Sequence, residues 1–398
     1  MKLKKIALTI ASVIAITASP ALLAAGTLAE AFSEGTVKGN FNLRYETVDQ
    51  DNALRDANGL TLRSRLTYQS GSYHNFSTVI EFEDSRTVLG VDDFNDTNGK
   101  NAGLRSVIAD PETTELDQGY LQYKSGAFTA KLGRQVITFD GHRFVGHVGW
   151  RQDRQTFDAA SLNYKKDDAT FTYAYVDKRN RIFGEEKDLD SKDHLLNASY
   201  KTKTGKLVGY AYLLEVDNNT DNSLDTYGFS YNGKASGVKY KLEYATQDAD
   251  AGANSFSADY LNAELGTSYN KVNFTLGYEL LGSDNGQYGF STPLATLHKF
   301  NGFADLFLAT PDEGLVDIYA TVSGKAFGGK WVATYHDFSA DDSSLAVDDL
   351  GDEINLLYVR PINKTFTFGA KYATYSAGDT SGGRVDTDKL WLWLNAKF

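Results

Sequence analysis

Cysteine is absent from the 398 residues, and methionine occurs once. Without cysteine there is no disulfide framework and no thiolate metal site, and passage through an oxidising compartment leaves no thiol to mispair. Long apolar runs are also missing. Beyond the N-terminus no segment reaches the roughly 18 apolar residues that a membrane-spanning helix needs, so a helical membrane protein is excluded. Positive charge is in deficit. The formal net charge of −12 argues against nucleic acid as a partner. The sequence holds no G-x-S-x-G, no H-E-x-x-H and no phosphate-binding glycine loop. His142 and His147 share a connection with Asp140 and Asp153, but no nucleophile stands beside them. Neither an enzyme nor a cofactor or metal is expected.

Aromatic residues are abundant, with 24 tyrosines and 23 phenylalanines. Such a balance suits strands and membrane interfaces rather than helices. The mean hydropathy of −0.38 is low, as it is for a sheet that spends half its residues on lipid and half on water. No linker or low-complexity segment divides the chain. Lys2, Lys4 and Lys5 precede a short apolar run, Ile6–Ala18, and small residues follow through Ala31. This pattern predicts a signal peptide over residues 1–29, cleaved between Ala24 and Ala31. Residues 30–398 are then a single domain.

Eighteen strand-like stretches can be counted, and their connections sort by parity. Tight ones follow the even-numbered stretches: Gln69–Asn75, Lys124–Ala127, Lys165–Asp168, Thr202–Gly205, Asn232–Gly237, Ser268–Lys271, Ser323–Lys330 and Arg360–Lys364. Longer ones follow odd-numbered stretches: Ser85–Thr113, Phe139–Gln155, Asp177–Lys192, Val216–Leu224, Gln247–Phe256, Gly282–Gly314, Phe338–Gly351 and Ser376–Asp386. A barrel threaded through a bilayer has one rim of short turns and one of long loops. The fold class predicted is therefore all-β: a transmembrane antiparallel barrel of about 18 strands in a Gram-negative outer membrane, with short periplasmic turns and long extracellular loops.

Alternation within the stretches supports this. Leu62, Leu66 and Tyr68 oppose Arg63, Arg65 and Gln69; Phe274, Leu276 and Tyr278 oppose Asn273, Thr275 and Glu279. Lys239, Lys241 and Glu243 oppose Val238, Tyr240, Leu242 and Tyr244. The last stretch puts Leu390, Leu392, Leu394, Ala396 and Phe398 on one face, a terminus resembling the signal read by the barrel-assembly machinery. Trp391 and Trp393 fall on the inward parity, where a bulge, a plug or the pore itself would have to accommodate them.

Ten of the 14 arginines precede residue 160. Parity points Arg44, Arg63 and Arg65 inward, with Glu46, Glu81 and Glu83 beside them. Guanidinium groups fork onto carboxylates, so such a lumen either selects anions or braces its own wall. Lys239 and Lys241 join the anion-binding candidates. The run Asp92, Asp93, Asn95, Asp96, Asn98 lacks an EF-hand pattern and reads as a solvated loop. Asp341, Asp342, Asp348, Asp349, Asp352 and Glu353 could hold divalent cations near lipopolysaccharide. A folded-in loop is the expected gate, with Ser85–Thr113 and Gly282–Gly314 the best inserts.

Two stretches carry a family resemblance. Leu132–Ala160, LGRQVITFDGHRFVGHVGWRQDRQTFDAA, is similar to the core signature of the alginate-export family of outer-membrane porins. Tyr278–Thr310, with TPLATLHKFNG at Thr292–Gly302, resembles its second characteristic region. The resemblance implies an eighteen-stranded barrel passing an anionic saccharide, alginate or its oligomers, and makes Arg134, Arg143, Arg151 and Arg154 candidates for a positive conduit. Arg134 shares parity with Leu132 and Val136, so an inward pose there requires a bulge. A general or small-organic-acid porin and a non-conducting surface-binding barrel are the alternative functions.

Overall fold

The computed structural model describes residues 26–343, 347–378 and 382–398. The expected signal peptide lies for the most part outside them. Among the described residues are eighteen strands: β1 (Thr36–Gln50), β2 (Ala57–Gln69), β3 (Phe76–Asp93), β4 (Thr113–Ser125), β5 (Phe128–Gln135), β6 (Thr156–Lys166), β7 (Ala169–Asn180), β8 (Leu189–Lys201) and β9 (Gly205–Leu214) form the first half. β10 (Asn222–Ala235), β11 (Val238–Ala251), β12 (Asn254–Tyr269), β13 (Val272–Leu281), β14 (Leu315–Ala326), β15 (Gly329–Ser339), β16 (Asp349–Pro361), β17 (Phe366–Ser376) and β18 (Thr387–Lys397) form the second. Each pairs antiparallel with its chain neighbour. β18 pairs with β1 from Asn40↔Lys397 to Gln50↔Thr387, which closes the sheet. Closure leaves no unpaired edge for lipid to cover.

Parity sorts the connections as the sequence predicts. Turns such as 126–127, 167–168, 202–204 and 236–237 form one rim; 94–112, 136–155 and 282–314 belong to the other. One expected long loop is not a loop. Gln247–Phe256 lies mostly within β11 and β12, which continue in register to Ala251↔Asn254. Asp248 and Asp250 made this segment look like solvent, but a hairpin standing above the bilayer needs no apolar outer face. For the same reason β3 runs past Ser85 to Asp93. At the short-turn rim a six-residue helix, α1 (Leu28–Ser33), starts from a capping box between Thr27 and Glu30. Its Ala31 carbonyl accepts from the Gly71 N–H at 2.7 Å, which ties it to the β2–β3 turn.

The outer face is an apolar belt, with Leu132 65 % and Leu276 67 % exposed. The inner face differs around the barrel. On β6 to β9 it carries an apolar patch: Ala159, Ala174, Val176, Leu195 and Val208 are buried together with Ile137 and Val145 of loop 136–155, beside the buried Arg179–Asp193 pair. That loop therefore folds into the lumen. Loop 282–314 does the same, burying Phe290, Leu294, Ala304 and Phe307 in one cluster with Phe338 and Tyr375 of the wall. Loop 94–112 caps a smaller cluster, with Phe94 and Ile108 against Val48 and Ala57. The two expected inserts are present, and 136–155 is a third.

The lipid-facing assignment is open to a paired substitution. Leu276→Arg, midway along β13, is expected to cost about 2–4 kcal/mol, whereas inward Thr275→Arg is tolerated; equal urea midpoints for the two variants in detergent would show the parity to be wrong. The rim assignment is tested by epitope tags. A tag at Asn98–Lys100 should be reachable on intact cells, and one at 202–204 only after the outer membrane is broken.

Candidate functional site

The lumen is held by ion networks that join wall to loops. Arg44 of β1 is 1 % exposed. It pairs with Asp110 of loop 94–112 and donates to the Trp150 carbonyl of loop 136–155. Asp110 also accepts from the Gln152 N–H at 2.8 Å. Arg151 reaches back to Glu46 at 3.0 Å and on to Asp305 of loop 282–314 at 3.1 Å. One wall strand and three loops thus meet in a single network. Burial alone would raise the Asp110 carboxyl, but Arg44 and Arg151 hold it below the usual carboxylate range. Removing one member of such a network leaves an uncompensated buried charge, at a cost of about 3–5 kcal/mol.

Beside it lies a second network. Arg65 pairs with Glu83 and, at 3.1 Å, with Asp117. Arg154 pairs with Glu81 and, at 2.7 Å, with Asp117. Asp117 was not singled out in the sequence. It turns inward through the register shift opposite Glu81 and Phe82. Arg63 stands apart: it donates to Asn40 Oδ1 at 2.7 Å, has no ion pair among the described residues, and its buried Nε finds no partner.

A third junction explains the inward tryptophans of β18. Trp150 stacks on His298 at 4.6 Å and meets Trp391 and Trp393 edge-on at 5.8 and 5.5 Å. Gly369 leaves the space in which the Trp393 ring lies, since a Cβ there would stand 2.0 Å from it. The ammonium of Lys371 sits 3.6 Å from the Trp150 ring centroid and 3.9 Å from that of Phe303. Burial holds His298 down at about 3; Asp305 pulls the other way and Lys371 adds to the depression. The neutral ring is oriented by its neighbours. Nδ1 donates to Asp305 at 2.7 Å, and Nε2 accepts from Lys371 at 2.8 Å.

Beneath the inserted loops, on the short-turn side, two adjoining cavities of about 250 and 220 Å³ share Lys241, Glu264, Lys299 and Phe300 as lining. Lys241 and Glu264 are register partners on β11 and β12. Lys299 comes from the tip of loop 282–314. The wall carboxylates are aimed by tyrosines that lie flat over glycines. Tyr319 donates to Glu264 at 2.9 Å, and Tyr210 to Glu243 at 3.1 Å. A Cβ on Gly277 would stand 2.1 Å from the Tyr319 ring, and one on Gly228 2.5 Å from that of Tyr210. Glycine is required at both positions because the rings occupy the space. Arg143 is buried against Glu279 at 2.8 Å and bonds Asn301 at 3.1 Å.

The expected site residues are therefore dispersed. Arg44, Arg63, Arg65, Arg143, Arg151, Arg154, Lys241, Glu81 and Glu83 all project into the plugged lumen, and most of the arginines are neutralised there. Arg134 does not join them. It lies on the face of β5 that carries Leu132, forks onto Asp158 at 2.8 and 3.2 Å and donates to the Leu116 carbonyl. No bulge in β5 turns it inward, so it braces neighbouring strands. Lys239 sits at the short-turn rim opposite Gly266, outside the lining of both cavities. His147 is kept at about 4 by burial and by His142, and its Nδ1 accepts from the Gly149 N–H at 2.9 Å, a role within the loop. Asp92 pairs with Lys100 at 2.6 Å. Asp153 is 1 % exposed, and burial with the neighbouring Glu115 and Glu83 raises its carboxyl well above the ordinary range.

The alginate export family model matches residues 34–289. No curated protein matches the sequence. Among solved structures, OccAB4 of Acinetobacter baumannii superposes with a TM-score of 0.72 at 14 % identity, covering 92 % of this chain and 98 % of that one. OccK9 (OpdG) of Pseudomonas aeruginosa gives 0.70 at 13 %, covering 92 % and 99 %. OccD3 (OpdP) of the same organism gives 0.66 at 13 %, with 92 % of each chain covered. At these identities the structures share the fold. The family match spans well over half of the chain and includes the first motif, so this protein belongs to the alginate export family of outer-membrane channel barrels.

Proposed function

We propose that this channel passes small solutes bearing a carboxylate, such as sugar acids and short anionic oligosaccharides, by passive diffusion. The observation that carries the reading is Arg63, 7 % exposed and without an ion pair among the described residues. A buried charge is costly unless it is countered. Arg65, Arg44 and Arg154 add like charge nearby, and the one neighbouring carboxylate that opposes them, Glu83, is already paired with Arg65. A passing carboxylate would supply the missing counter-charge in a confined space where salt screens little. The three inserted loops favour short solutes over a long polymer, because Ile137, Val145, Phe290 and Leu294 are buried inside the barrel. That same filling supports a second reading, a channel for small organic acids in general. No part of the reading requires catalysis. Phe398 is 69 % exposed and its backbone exchanges hydrogen bonds with Gly39 at 3.1 Å; this end of β18 is the proposed handle for the assembly machinery. Contact with lipopolysaccharide through the long-loop rim belongs to the same proposal.

Planar-bilayer recordings test the selector. Arg63→Gln should move the reversal potential in a salt gradient toward cation preference, with a shift that shrinks at high salt; an unmoved potential would leave Arg63 a structural residue. The plug is tested separately. Lys371→Met removes the cation from the Trp150 and Phe303 rings and should raise single-channel conductance and its fluctuations, while the heat-modifiable gel migration of a folded barrel persists.

A further inference from the structure

The neck shared by the two cavities carries one ammonium and one carboxylate that lack ion pairs. Lys299 donates to the Gly141 carbonyl at 2.8 Å and has no ion pair among the described residues. Glu264 accepts from the Tyr319 hydroxyl and has none either. Their charged neighbours are already engaged. Glu243 holds Lys241 at 3.0 Å, Asp140 holds Lys206 at 2.9 Å, Glu279 holds Arg143 at 2.8 Å, and Asp317 holds His336 at 2.9 Å. The pair at the neck is thus a fixed transverse dipole, with its positive end on the plug and its negative end on the barrel wall. Two features show that the negative end is built rather than incidental. Gly277 makes room for Tyr319, and the Tyr319 hydroxyl fixes the direction of the Glu264 carboxylate.

We propose that the neck is a binding site for dipolar solutes, molecules that carry an ammonium and a carboxylate on one small frame, such as amino-substituted sugar acids. This rests on the channel reading above and adds a requirement to it. A simple anion gains Lys299 but meets Glu264 as a like charge. A simple cation has the opposite difficulty. A dipolar solute places its carboxylate on Lys299 and its ammonium on Glu264, and in the neck it substitutes for the ion pair those two groups do not make. Phe300 also lines the neck, and its ring lies 5.5 Å from the Lys299 ammonium.

Efflux from proteoliposomes separates the possibilities. The probes are labelled gluconate, an anion, and labelled 2-amino-2-deoxygluconate, its dipolar counterpart of matching size. With the native barrel the amino acid sugar should leave roughly two- to fivefold faster, the range supported by one water-exposed ion pair. Glu264→Gln should bring the ratio of the two rates toward one. Lys299→Met should slow both probes, because both use the ammonium. Heat-modifiable migration of each variant confirms that it is folded. Equal rates through the native barrel, faster gluconate, or a ratio that Glu264→Gln leaves unmoved would overturn the dipolar site while leaving a carboxylate channel standing. Efflux of neither probe above that of protein-free vesicles would remove the channel reading and this proposal with it.

Discussion

A polypeptide crossing hydrocarbon must satisfy every backbone N–H and C=O within itself, and a sheet can do so only by closing. The β1–β18 seam is that closure, eleven residues of β1 facing eleven of β18 from Asn40↔Lys397 to Gln50↔Thr387. Everything else follows from it. Once the sheet is closed, alternate residues must face lipid or lumen. The chain must then fill or water an interior wide enough to hold three of its own loops.

The interior is filled with two kinds of contact on two sides. Along β6 to β9 the wall carries an apolar patch on which Ile137 and Val145 of loop 136–155 pack. Along β1 to β4 the wall is charged, and the loops are joined to it by Arg44, Arg151 and Arg154, while Arg65 links β2 to β3 and β4. Trp150, His298 and Lys371 tie the two kinds together, because an ammonium enclosed by rings is compatible with both. Arginine suits these junctions because one guanidinium can bridge several carboxylates in a fixed plane. Among the described residues, Arg63 beside the arginine network and Lys299 and Glu264 at the neck are charged groups without an ion pair, as are the more deeply enclosed Asp153, Glu353 and Lys371. Arg63, Lys299 and Glu264 are the three proposed to meet a solute.

Much of the barrel was legible in the sequence, because strand alternation and loop parity are local patterns. Arg63 and Leu66 could be assigned to their faces from spacing alone. The inward Trp391 and Trp393, an anomaly for a water-filled pore, were a sign of the plug. So were the apolar residues of 136–155, such as Ile137, Phe144 and Val145, which have no place in a solvated loop. Other features depend on register and could not be read. Gly277 acquires a role only because Tyr319 is its neighbour on β14, and Glu264 only because that tyrosine reaches it. Asp117 turns inward through a register shift that no periodicity announces. Arg134 shows the opposite case, since its outward parity was correct and the family motif suggested otherwise.

The barrel is plugged from within by its own long loops. Conductance in planar bilayers bathed in polyethylene glycols of graded size measures this directly. Only the smallest polymers should enter and lower the conductance, and shortening loop 282–314 should move the cutoff to larger ones. A native channel that admits polymers as large as the shortened variant admits would contradict it.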